Sequence, residues 1–129
     1  PVDEIVARSL STVPPGGEVV VVFGTWCGDS RREVSRLWQV LDAAGGGIPF
    51  PVGWIAVDRQ KQAPGGLVEG LDIRFVPTFI VRRGGKEVGR IVESSPNGLE
   101  TDLLDLLAGR AEGFLSASRE PDAGAAPAP

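Results

Sequence analysis

The run Val19-Val20-Val21-Val22-Phe23 passes within a few residues into Trp26-Cys27-Gly28-Asp29-Ser30 and then into an amphipathic segment. This passage constrains the chain more than any other feature. Consecutive apolar, mostly β-branched residues read as a strand buried on both faces. Val34, Leu37, Trp38 and Leu41 then follow at i, i+3, i+4 and i+7, the stripe of a helix packed on a core. Counting back from the stripe puts Cys27 near the helix start, where unpaired N–H groups and the helix dipole favour a thiolate, the form that attacks disulfides. Arg31, four residues on, acts in the same direction, whereas Asp29 and Glu33 oppose it. The plainer alternative is a buried cysteine that serves as a small inert hydrophobe.

With 129 residues, 42% of them hydrophobic, the chain supports one core and one domain. A formal charge of −4 argues against a general nucleic-acid binder and against a polybasic membrane anchor. No stretch approaches the apolar length that spans a bilayer. Cys27 is the only cysteine, so no internal disulfide can form. The absence of histidine removes Cys–His hydrolase chemistry and nearly all zinc-site patterns. Neither a metal nor a cofactor is expected, and any enzymology centres on sulfur. The compartment is left open.

Periodicity and turn residues predict the order α-β-α-β-α-β-β-α. A helix is expected over 2–10 with Val2, Ile5, Val6 and Leu10 on one face, and Pro14-Pro15-Gly16-Gly17 breaks the chain before a strand at 18–24. A helix over 28–43 leads through Gly45-Gly46-Gly47 to a strand near 52–57, and a weaker helical stretch follows around 66–71. Strands over 77–83 and 86–93 flank Gly84-Gly85, a two-residue hairpin signal. The last helix, 97–109, carries Leu99, Leu103, Leu106 and Leu107 on one face, and Asn97 with Glu100 has the spacing of a capping box. Strands separated by helices require crossovers and parallel pairing, and the hairpin adds antiparallel strands. The expectation is an α/β fold with a mixed sheet of about four strands and helices on both faces. Trp38 and Trp54 read as core, and Arg82-Arg83 as a solvated strand end. The domain is expected over 1–112, followed by an Ala/Pro-rich disordered tail over 113–129.

Strand, Trp26-Cys27-Gly28-Asp29-Ser30, helix, strand, helix, then Val76-Pro77-Thr78 opening a hairpin before a closing helix: over about residues 18–109 this resembles the thioredoxin superfamily. W-C-x-x-S with V-P-T some fifty residues later is far more specific than either motif alone. Ala56-Val57-Asp58 closing a strand and the Gly84-Gly85-Lys86 turn also match. The similarity extends most closely to bacterial thioredoxin-like proteins with a W-C-G-D-S motif. The resemblance implies that Cys27 is the attacking thiolate, that Trp26 lines the site, and that Pro77 is cis and faces the sulfur. Pro77 supplies no N–H, which leaves the backbone of Val76 to pair with an extended substrate.

Two departures bear on activity. Ser30 stands where a dithiol enzyme carries its resolving cysteine, and a hydroxyl cannot close a disulfide. A mixed disulfide at Cys27 must then be released by an external thiol such as glutathione. Ser30 is placed to donate a hydrogen bond to the thiolate, or it is an ordinary polar residue of the first helical turn or an engineered trapping substitution. Val21 stands where thioredoxins often bury an acid, which leaves Asp29 as the nearest carboxylate. Three functions remain open. The first is a monothiol oxidoreductase that exchanges protein or glutathione mixed disulfides. The second is a non-catalytic module that binds peptide or protein through Trp26, Val76 and Pro77. The third follows from Cys-Gly-x-Ser, also the pattern of monothiol glutaredoxins, which hold an iron–sulfur cluster. Trp26 before the cysteine and the position of Gly84-Gly85 depart from that family.

Overall fold

The computed structural model describes residues 1–120. Its elements are α1 (Glu4–Ser9), β1 (Gly17–Phe23), α2 (Gly28–Ala44), β2 (Val52–Ala56), β3 (Thr78–Arg83), β4 (Lys86–Val92), α3 (Leu99–Ala108) and β5 (Gly113–Leu115). The strands form one sheet in the order β2-β1-β3-β4-β5. β1 pairs parallel with β2 and antiparallel with β3, β3 pairs antiparallel with β4, and β4 pairs parallel with β5. The expected α/β architecture with a mixed sheet is present. No helix among the described residues is long and apolar enough to cross a membrane.

Strand alternation divides the core between two faces. Val19, Val21, Phe79, Val81 and Ile91 join apolar residues of α1, α2 and α3 in the larger cluster. Val20, Val22 and Ile80 meet Val57, Val68 and Val76 on the other side. All three α-helices therefore pack on one face, and the segment between β2 and β3 covers the opposite one. The helical stretch expected around 66–71 does not form. A single 3-10 turn, Pro64–Gly66, stands before it, and Gly65, Gly66 and Gly70 all take positive φ, a conformation that interrupts any right-handed helix.

The fifth strand carries the sheet past the boundary expected at residue 112. Three residues are too few to show an alternation in sequence, yet they pair with Gly89–Ile91. A Cβ on Gly89 would lie 2.6 Å from the carbonyl oxygen of Gly113, so this pairing requires glycine. The remainder of the expected tail, 121–129, lies outside the described residues. The hairpin between β3 and β4 forms as expected, with Gly84 and Gly85 both at positive φ.

Side-chain expectations fail where one residue falls at the margin of a stripe. Trp38 is 59% exposed and stacks on half-buried Trp54 at 5.2 Å, while Leu37, Val40 and Ala44 are the buried apolar residues of α2. Trp54 packs against the main core cluster as expected, and Trp38 does not. Ile5 is likewise exposed, and Ala7 and Leu10 take the buried face of the first helical segment. The proposed capping box at α3 is absent. Gly98 is the N-cap, Asn97 donates from its backbone and side-chain nitrogens to Asp102, and Glu100 accepts from the backbone N–H of Asp3 at 2.6 Å. The carboxylate that would have capped its own helix instead ties α3 to the start of α1.

Candidate functional site

β1 ends at Phe23 and α2 begins at Gly28, so the intervening turn presents Trp26 and Cys27 at one end of the sheet. Cys27 is the N-cap of α2 in extended conformation, and its carbonyl accepts the Arg31 N–H at 3.1 Å. The sulfur is half-buried and lies 3.7 Å from the carbonyl oxygen of Val76, as thiol donor to acceptor. The Val76–Pro77 peptide bond is cis. Two segments some fifty residues apart in sequence thus meet at one atom.

Ser30 is 1% exposed, and its Oγ accepts the Gly24 N–H at 3.1 Å. That bond ties it to the end of β1, so the contact recorded for its oxygen is with the backbone of Gly24 and not with the sulfur. Gly24 itself carries the Trp26 ring, since a Cβ there would fall 2.4 Å from the indole. Asp29 pairs with Arg32 at 2.7 Å. This hydrogen bond, followed by the charge of Asp29, pushes the Arg32 guanidinium above its ordinary range. Arg31 is exposed and borders a cavity of about 280 Å³ shared with Phe23, Thr25, Val34 and Trp38. Val21, at the position where the resemblance implies a buried acid, is fully buried among apolar neighbours.

Three arginines that had no motif to announce them also frame the site. Arg59 stands over the Trp26 ring with its guanidinium carbon 5.7 Å from the centroid, a cation–π contact. Arg90, buried on β4, makes a paired contact with Glu87 at 2.6 and 2.7 Å and donates to the carbonyls of Leu71 and Asp72 at 2.8 and 3.1 Å. It holds the start of the segment that delivers Val76. Arg119 lies 4.0 Å from the centroid of Phe75 and pairs with Glu93, whose N–H donates to the Pro77 carbonyl at 2.8 Å. The hydrogen bond to Glu93 holds the guanidinium of exposed Arg119 above its ordinary range, against slight desolvation. Arg119, four residues past β5, therefore belongs to the wall of the site.

The chain that carries this site, a half-buried cysteine at a helix N-cap beside a cis X-Pro bond, is similar over most of its length to known proteins. No family model matches the chain. Thioredoxin-like protein 1 of Schizosaccharomyces pombe is 27% identical over 105 residues, 81% of this chain and 34% of that protein. The thioredoxin of Malassezia sympodialis is 28% identical over 91 residues, 68% of this chain and 82% of the relative. The crystal structure of Trxlp from Edwardsiella tarda EIB202 shares the fold with a TM-score of 0.54 at 23% identity, covering 78% of this chain and 90% of that one. The chain is similar in sequence to thioredoxins and thioredoxin-like proteins and has the thioredoxin fold. It spans about a third of the length of the fission-yeast relative. Within the superfamily's fold this chain presents a single cysteine, with serine three residues after it.

Proposed function

We propose that the protein is a monothiol thiol–disulfide oxidoreductase in which Cys27 forms mixed disulfides that an external thiol resolves. The observation that carries this reading is the placement of the sulfur, at the N-cap of α2 and 3.7 Å from the Val76 carbonyl, with a hydroxyl at Ser30. The attacking species in such an exchange is the thiolate. The Cys27 thiolate attacks one sulfur of a disulfide RS–SR, a new Cys27–S–SR bond forms, and RS⁻ leaves with the electron pair of the broken bond. A second thiolate R′S⁻ then attacks the R sulfur of the adduct, so RS–SR′ departs and the Cys27 thiolate returns. Trp26 forms one side of the approach. Val76 offers backbone beside the sulfur, and Pro77, without an N–H, ends that edge. Asp29 and Arg31 set the charge in the first turn of α2.

Incubation of the reduced protein with glutathione disulfide is expected to add one glutathione per chain, read by intact mass, and Cys27→Ser to abolish the adduct completely. A folded protein that acquires no adduct under conditions where free cysteine does would overturn the reading and leave a peptide-binding module as its successor.

A further inference from the structure

We propose that Arg59, together with Arg31, forms an anion subsite beside Cys27, so that the disulfides this site accepts carry a carboxylate near the S–S bond. The inference rests on the exchange reading above and names the substrate class. Among the described residues, eight arginines have a carboxylate within ion-pair distance, and Arg31, Arg59 and Arg83 have none. Arg83 ends β3 beside Gly17, at the far end of the sheet. Arg31 and Arg59 both lie at the Cys27 end, on a chain whose formal charge is −4.

The topology brings Arg59 to the turn that carries Cys27, and Arg31 stands one helical turn on from that cysteine. Val57 N–H donates to the Phe23 carbonyl at 2.8 Å, which sets the loop after β2 beside the turn that carries Trp26 and Cys27. Arg59 then reaches back over the Trp26 ring. The neighbouring acids are already engaged. Asp58 accepts the N–H groups of Gln60 and Gln62 at 2.9 and 3.0 Å, and Asp29 and Glu33 both contact Arg32, at 2.7 and 3.4 Å. A guanidinium held over an aromatic ring by a cation–π contact makes no hydrogen bond to that ring's carbons, and its N–H groups suit the two oxygens of a carboxylate. Attack by Cys27 leaves that carboxylate on the half of the disulfide that stays bound.

The test compares second-order rates of Cys27 with two aromatic disulfides, the dianionic dithiobis-nitrobenzoate reagent and neutral dithiodipyridine, at low and high salt. The ratio of the anionic to the neutral rate is expected to fall by about three- to ten-fold in Arg59→Gln at low ionic strength. Most of it should return in Arg59→Lys, and salt should compress the wild-type ratio toward that of the variant. Lys86→Gln, which removes one positive charge at the distant hairpin, is expected to keep the wild-type ratio. An unchanged ratio in Arg59→Gln, or an equal fall in Lys86→Gln, would overturn the anion subsite while leaving exchange at Cys27 intact. A Cys27 inert to both reagents would overturn the exchange reading and the subsite with it.

Discussion

Arg90→Met is expected to destabilise the fold by about 3 kcal/mol, at the lower end of what breaking a buried ion pair costs. Arg90 is 3% exposed and satisfies four acceptors, the two carboxylate oxygens of Glu87 and the carbonyls of Leu71 and Asp72. Methionine fills much of the volume but donates nothing, so an acid and two carbonyls lose their partner together. Glu87 retains some contact with water, which moderates the loss. With a urea slope of about 1–3 kcal/mol/M, the unfolding midpoint should drop by about 1–3 M. Pairing the change with Glu87→Leu should recover part of the loss, because the stranded charge is then gone. Arg110→Met, at an exposed ion pair, serves as the comparison, and equal midpoints for Arg90→Met and Arg110→Met would refute the clamp.

Ser30→Cys carries the second large effect, and it concerns the chemistry directly. Residues three apart in a helical turn stand about 5 Å apart between Cα atoms, within the span of about 4.4–6.8 Å that a disulfide bridges. A thiol at position 30 is expected to attack the Cys27 adduct from inside the molecule and to make its release independent of added thiol. Release should accelerate about 100-fold or more over the wild type at low external thiol, as intramolecular attack replaces a bimolecular step. Adduct decay followed by mass after removal of free thiol provides the measurement. An adduct on Ser30→Cys that persists as long as on the wild type would mean that a thiol at position 30 does not reach the sulfur of Cys27. The bond from Gly24 N–H to Ser30 Oγ shows that this side chain already turns inward under the cysteine turn.

Contiguous chemistry was the part of the molecule most readable in the chain. Cys27 and Ser30 fall within one helical turn whose start is marked by the apolar strand before it, and Val76-Pro77 stands at the head of a strand marked by its own hairpin glycines. Each of these signals is local, so sequence spacing carries it. Features that arise from packing were not legible in the same way. Trp38 sits at a stripe position but turns toward Trp54 on the edge strand, because Leu37 and Val40 already occupy the core face. The 66–71 stretch has apolar residues at helical spacing, yet the glycines around it adopt positive φ. β5 is legible only through its partner, since three residues cannot establish an alternation. Arg59, Arg90 and Arg119 act through a ring, a pair of carbonyls and a ring from distant segments, and no spacing rule connects them.

Release of the Cys27 adduct as a function of external thiol tests the monothiol account most directly. The protein is loaded with one glutathione, freed of small thiols, and mixed with rising concentrations of reduced glutathione while the adduct is followed by mass. The account predicts a release rate that rises linearly with thiol and extrapolates to zero without it, because the chain holds no second sulfur. Release at a finite rate in the absence of thiol, or a Cys27 that cannot be loaded at all, would contradict it.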